Sequence, residues 1–237
     1  MLVNKIHPVE FFKDTHTYVY PLDSSVKLQS VSDFIRSYTP EVTYEQYRLL
    51  FKSDERAQEK WAMRDETSRK AMDFGNRIDA LFQTAYMGEE PEKLEFTRKS
   101  YQEFFIREVQ DMKARYPEMQ LQVQLCDPEI GLAGTLDMCW YQDGMWYVGD
   151  LKTGREPSLQ TVFGNSMLHP FHELTNSYGT KYAMQLSLYA HLLRVNGNDV
   201  SNELTIFQVM KSGGIKTWKL YEISQLQSVL EIRKSPF

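Results

Sequence analysis

Cys126 and Cys139 are the only cysteines in this chain of 237 residues. Two thiols build no disulfide framework, so a reducing, cytoplasmic setting is expected. Nor can they hold a four-cysteine iron–sulfur cluster. Both are expected to fill small spaces on strands. No apolar run approaches the ~20 residues that a membrane helix needs. The first thirty residues contain Glu10, Asp14 and Asp23 but no arginine and no secretory apolar stretch, which argues against a transit or signal peptide. An excess of basic charge is missing as well. The formal net charge is −5, whereas nucleic-acid enzymes are often basic. That counts modestly against polyanion binding, but it leaves room for a local basic field in a cleft. Repeats, low-complexity tracts and linkers are also absent, so a single domain over residues 1–237 is expected.

The residues that carry chemistry concentrate in 131–154, GLAGTLDMCWYQDGMWYVGDLKTG. Residues 132–141 and 145–151 are rich in aromatic and aliphatic side chains, and Gln142-Asp143-Gly144 is a turn signal, so the stretch reads as a β-hairpin. Asp137 lies on its first strand and Asp150 at the end of its second, where the hairpin opens. Lys152 follows Asp150 by two, which puts both side chains on one face of an extended strand. Charges on a strand otherwise built for burial are costly unless paired or metal-bound. A divalent-metal site accounts for them. Mg²⁺ or Mn²⁺ takes oxygen ligands, from one or two carboxylates plus phosphate and water. Asp137 and Asp150 would supply the carboxylates and the Leu151 carbonyl a further oxygen. Lys152 would hold or polarise the attacking water and offset charge on phosphate. The plain alternative is a surface hairpin with an ordinary Asp–Lys pair.

Elsewhere the pattern predicts a small hairpin over 9–20, and a short helix capped by Ser30 or Ser32. A charged helical region over 43–87 reads as a solvated face or, less simply, as a basic wall with Tyr47 or Trp61 as stacking surfaces. Helices are predicted over 92–115 and 178–195, a strand over 120–125, a second hairpin over 204–220 and a last helix over 224–232. Gly75 inside a helical pattern suggests close approach of another backbone. On the 178–195 helix Lys181, Gln185 and Tyr189 recur every four residues on one face. The long segment 155–177 carries His169 and His172, and suits a lid over substrate, with Phe163, Phe171 and Tyr178 available to stack bases.

Gly134-Thr-Leu-Asp137, Asp150-Leu-Lys152-Thr153 and Gln185-Leu-Ser-Leu-Tyr189 occur in that order. Together they resemble the RecB-like exonuclease branch of the PD-(D/E)XK nuclease superfamily, and residues 167–193 are similar to mitochondrial genome maintenance exonucleases and their viral and phage relatives. The resemblance covers roughly 70–195. It departs from the family at Asp79, where a metal-site histidine would stand, at Gln83 in place of a glutamate, and at Gln122 or Gln124 on a strand that often bears a glutamate. Asp79 keeps an oxygen ligand at its position.

The resemblance implies an α/β fold with a restriction-endonuclease-like core. A mixed central sheet is flanked by helices, with a mainly helical addition over 1–115, a catalytic core over 116–222 and a C-terminal helix over 223–237. It implies a Mg²⁺- or Mn²⁺-dependent deoxyribonuclease. Such an enzyme would be an exonuclease on single-stranded or frayed DNA ends, in replication, recombination or repair. Asp137, Asp150, Lys152, Gln185 and Tyr189 would be catalytic, and Asp137, Asp150, Leu151 and Asp79 metal ligands. The alternatives are a non-catalytic nucleic-acid-binding module on the same fold, or an endonuclease.

Overall fold

The computed structural model describes residues 2–90, 99–160 and 164–234. The first hairpin is β1 (Glu10–Phe12) with β2 (Thr17–Val19), joined through a Phe11–Tyr18 ring contact at 4.7 Å. The two-residue strand β3 (Gln29–Ser30) follows. Ser30 then caps α1 (Val31–Ser37), its Oγ accepting from the Asp33 N–H at 3.0 Å. Such a cap contributes about 1 kcal/mol. The charged region divides into α2 (Tyr44–Arg48), α3 (Asp54–Ala62) and α4 (Arg64–Met87); Thr43 with Gln46 starts the first and Ser53 the second, while α4 follows α3 through Met63 with no side-chain cap. Gly88, at φ 83°, ends α4. The next helix, α5 (Lys99–Arg115), is described from Lys99; its expected beginning at Glu92 lies outside the described residues.

The main sheet contains β3, β4 (Gln120–Asp127), β5 (Leu132–Gln142), β6 (Met145–Lys152), β7 (Val200–Val209) and β8 (Ile215–Tyr221). Its order is β3-β5-β6-β7-β8, with β4 also on β5. The helix α6 (Tyr178–Val195) connects β6 to the parallel strand β7, and α7 (Gln225–Lys234) follows β8. The sheet is mixed: β3–β5 and β6–β7 are parallel and the other pairs antiparallel. The fold is therefore α/β, with helices on both faces. On one face Phe34, Met184, Leu188 and Leu226 from α1, α6 and α7 pack on Val148, Leu204 and Ile206. On the other, Ile78, Phe82, Phe105 and Val109 from α4 and α5 pack on Met138, Trp140 and Phe207. Each such side chain removed from water stabilises the fold by about 1.5–3 kcal/mol.

Two irregularities shape the centre. Since β4 runs along one edge of β5, β3 and β6 must share the other edge. They pair with residues 132–133 and 138–142, so 134–137 lie between them with no strand partner on that side among the described residues. In addition, the β4–β5 ladder has rungs at Leu121↔Met138 and Val123↔Leu136 but none between Gln122 and Asp137. Gln122 is left-handed there, at φ 53°. Both strands change face across that missing rung. Val123 and Leu136 belong to the core under α6, whereas Leu121 and Met138 pack with α4 and α5. Simple alternation along either strand would have kept them together.

Candidate active site

Asp137 and Asp150 meet where the hairpin splays. The last rung of β5–β6 is Met138↔Gly149, so the two aspartates are the next pair along. There β6 leaves β5 while it remains paired with β7, through Asp150↔Ile206, Leu151↔Phe207 and Lys152↔Gln208. The Leu151 N–H donates to Oδ2 of Asp137 at 3.3 Å. Nζ of Lys152 lies 2.6 Å from Oδ2 of Asp150, whose side chain is 1% exposed. Gln208, the ladder partner of Lys152, donates to the Gly154 carbonyl at 3.1 Å and fixes the chain as it leaves the strand.

The charges are unevenly satisfied. Burial, then the neighbouring Asp150 carboxylate, push the Asp137 carboxyl well above the usual carboxylate range. Burial alone would pull the Lys152 ammonium down, but the two carboxylates outweigh it and its pKa rises, so it remains a cation. Despite the nearby ammonium, Oδ2 of Asp150 has no aligned hydrogen-bond donor among the described residues. One ammonium thus faces two buried carboxyls, so the pair is short of one positive charge whenever both are ionised. That is the environment a hard divalent ion satisfies, and two carboxylates suffice when phosphate and water complete the shell. Among the described residues no group of three or more His, Cys, Asp or Glu side chains is arranged to hold a metal. Asp79 shares a cleft with Asp137 and interacts electrostatically with both aspartates.

Gln185 and Tyr189 reach the same place from α6. Nε2 of Gln185 donates to Oδ1 of Asp150 at 3.4 Å, and its side chain is also hydrogen-bonded to Tyr189. The Tyr189 phenol is buried, and burial followed by the Asp137 charge pushes its pKa well above the ordinary value. Its ring lies so close to β5 that a Cβ on Gly134 would fall 2.7 Å from Cε1 and 3.2 Å from Oη. The glycine at the head of Gly134-x-x-Asp137 and the tyrosine of the helix thus form one contact. Tyr189 is buried against β5 beside Asp137.

Asp79 comes from α4, across a cleft of about 360 Å³ lined by Met72, Gly75, Asn76, Asp137, Lys152 and Tyr182, among others. Gln83 donates to Oδ2 of Asp79 at 2.7 Å and Gln122 at 3.5 Å. The three positions that depart from the resembling family therefore hold one another. Burial raises the Asp79 pKa; the Gln83 bond opposes it and the Asp150 charge adds to it. Of the two glutamines on that strand, Gln122 is the one that reaches Asp79, while Gln124 pairs across the ladder with Thr135. At Gly75, what comes close is a side chain rather than another backbone: a Cβ would lie 3.3 Å from Oγ1 of Thr153. The helix and the end of β6 are thereby brought together as walls of the cleft.

Several expected contacts fall elsewhere. Phe171 is fully buried, edge-on to Tyr38 at 5.0 Å, and cannot stack bases. It and Met167 pin residues 164–177 into the core, with Leu168 N–H bonded to the Tyr38 carbonyl at 2.8 Å. That part of the segment lies along α1, not over the cleft. His169 and His172 are exposed and stack on each other at 5.6 Å. Tyr47 and Trp61 pack edge-on together at 5.2 Å, with Arg64 over Trp61 at 4.2 Å. Phe163 lies outside the described residues. Tyr182 was missed in the sequence, although it stands three residues before Gln185 and seven before Tyr189, which puts it on the same helix face. Its ring has Lys152 Nζ at 5.4 Å. No protein-family model matches this chain, and no curated protein matches it.

Proposed function

We propose that this chain is a divalent-metal-dependent deoxyribonuclease with a restriction-endonuclease-like core. One observation carries the reading: Asp137 and Asp150 face each other across a splayed hairpin, with Lys152 at 2.6 Å from the buried Asp150 and Gln185 bonded to it. A structural ion pair would not need a second carboxyl that resists ionisation, nor a cleft of this size beside it. Mg²⁺ or Mn²⁺, held by Asp137 and Asp150, would supply Lewis-acid polarisation of a phosphoryl oxygen and a water of lowered pKa.

The remaining roles belong to the chain. Lys152, kept cationic by its carboxylate neighbours, donates hydrogen bonds to an attacking water and offsets charge on the phosphate oxygens. Gln185 orients the Asp150 carboxylate, and Tyr189 holds Gln185 and the β5 backbone in place. Leu151 fixes Asp137 through its N–H and lines the cleft, with its carbonyl as a further oxygen donor. Asp79, braced by Gln83 and Gln122, sets the electrostatics of the opposite wall. The α4 wall narrows the approach, which favours a single strand entering by its end: an exonuclease on single-stranded or frayed DNA, in replication, recombination or repair.

The test is cleavage of end-labelled linear single-stranded, duplex and closed circular single-stranded DNA, with and without Mg²⁺ or Mn²⁺. Metal-dependent loss of the linear single strand is expected, with the circle largely intact. Asp150→Ala and Lys152→Ala should each lower the rate by roughly a hundred-fold or more while the protein stays folded and binds DNA. Wild-type turnover by either variant would remove the assigned site. Binding without cleavage in any metal would make the protein a non-catalytic module, and equal cutting of the circle would make it an endonuclease.

A further inference from the structure

Beyond Lys152 the surface of α6 continues as an aromatic and basic face. Tyr182 lines the cleft and has Lys152 Nζ over its ring at 5.4 Å. One helical turn earlier comes Tyr178, with ring centroids 6.2 Å apart and planes inclined by 47°. Tyr178 is 43% exposed. The Arg155 guanidinium stands 5.5 Å from its ring centroid and Lys181 Nζ 6.0 Å from it. These are the outer limits of cation–π contact, so the rings are accompanied but not sealed.

Neither Arg155 nor Lys181 has a carboxylate partner among the described residues. Several cations of this acidic chain are paired, Arg48 with Asp54, Lys70 with Glu66, Arg194 with Glu222 and Lys219 with Glu203; what sets Arg155 and Lys181 apart from the other unpaired ones is that both stand over the Tyr178 ring beside the cleft. Lys181 is half-buried, and burial pulls its pKa down with no anion opposing. The loop bearing Arg155 is held against the helix, since the Gly179 N–H donates to the Ser158 carbonyl at 2.9 Å and a Cβ on Gly179 would meet the Pro157 carbonyl at 2.8 Å. Two uncompensated cations are therefore fixed beside two rings whose inner end opens on the carboxylate pair. Phosphates need the cations, and unpaired bases need the rings; a duplex, with its bases stacked inside, would use only the cations.

We propose that Tyr178, Tyr182, Arg155 and Lys181 form a track along which a single strand of nucleic acid runs into the cleft, its bases stacking on the tyrosines and its phosphates held by the two cations. The proposal rests on the nuclease reading for its direction, but its contacts are separate from the metal-site residues. The measurement is fluorescence anisotropy of a fluorescein-labelled oligothymidylate, in Mg²⁺ over a series of salt concentrations. The full chain carries Asp150→Asn so that no cleavage occurs.

Tyr178→Ala should weaken binding by about ten-fold or more without changing the salt slope. Arg155→Gln and Lys181→Gln should each reduce the slope of log K against log salt by roughly 0.7. Tyr178→Phe keeps the ring and should bind as the parent does. Parent-like binding and slope in all three loss variants would overturn the track while leaving the nuclease reading intact. A duplex gripped as tightly, with the same losses, would overturn the single-strand assignment. A parent protein that binds no oligonucleotide would overturn the track and the nuclease reading together. Grip with these losses, alongside failed cleavage by the wild type in every metal, would leave the track standing and remove the nuclease.

Discussion

Gln122 stands directly across the sheet from Asp137, and the rung between them is missing. Gln122 sits at φ 53° on a strand, and at this rung β4 and β5 both exchange faces. A left-handed conformation costs a residue with a Cβ roughly 1–2 kcal/mol, and such strain collects where function fixes the backbone. Here the exchange aims Asp137 at Asp150 and lets the Gln122 amide reach Asp79. A β-branched residue tolerates positive φ poorly. Gln122→Val should therefore destabilise the protein by about 1–2 kcal/mol in urea unfolding, and Gln124→Val, on the regular part of the ladder, by much less. Equal effects would mean that the missing rung carries no strain.

The contact between Gly134 and Tyr189 yields a second test. Gly134→Ala places a methyl 2.7 Å from Tyr189 Cε1, and the buried ring has no free side to move toward. Overpacking of this kind costs about 1–3 kcal/mol. The double variant Gly134→Ala, Tyr189→Leu should lose less than the sum of the two single losses, because the clash is then relieved. Strict additivity in thermal melts would show that the two residues do not press on each other.

Much of this arrangement was legible because its signals are local. The Asp143-Gly144 turn and the flanking apolar runs place the hairpin, and the two-residue offset places Lys152 beside Asp150. The recurrence every four residues on α6 puts Gln185 and Tyr189 on one face, and the structure brings both to the carboxylates. What escaped the sequence is non-local. The face exchange at Gln122 and Asp137 depends on two strands bending together, and a period-of-two reading has no means to show it. The strand β3 is two residues long and gains its identity only from β5. Phe171 looks like a loop aromatic until α1 covers it. The bracing of Asp79 by Gln83 and Gln122 joins residues 43 apart in the chain for its longer contact.

Asp79 and Asp73 share α4 but not surroundings. Asp73 is exposed, whereas Asp79 faces the cleft, carries two amide donors and feels the charges of Asp150 and Lys152. Asp79→Ala should lower the cleavage rate or the apparent metal affinity by roughly ten-fold, in line with loss of a supporting group near a metal site. Asp73→Ala should stay within about two-fold of the parent, as an exposed surface change would. Mn²⁺ titrations of cleavage for both variants decide it. Small and equal shifts would make Asp79 an ordinary helix acid.

The cysteines give the pH dependence. Both are buried. Burial, then the Asp127 charge, push the Cys126 thiol from 9.0 to about 11, and burial pushes Cys139 to about 12. A group whose folded pKa is raised stabilises the fold fully below its unfolded pKa and ceases to do so as pH rises through the folded value. The window is therefore from about pH 9 upward. Within it the unfolded chain releases the thiol protons while the folded chain keeps them, and each buried thiol steepens the loss of stability by up to about 1.4 kcal/mol per pH unit. Urea midpoints should be nearly flat from pH 7 to 8.5 on this account and should fall above pH 9. Cys126→Ala, Cys139→Ala should make the alkaline fall shallower, although tyrosines with raised pKa values, such as Tyr18 and Tyr86, keep part of it. The same burial predicts that a thiol-alkylating reagent at pH 8 labels the native protein only at the rate at which it opens, and the unfolded protein at once. Rapid native labelling, or an unchanged alkaline limb in the double variant, would show that the thiols are not held protonated by the core.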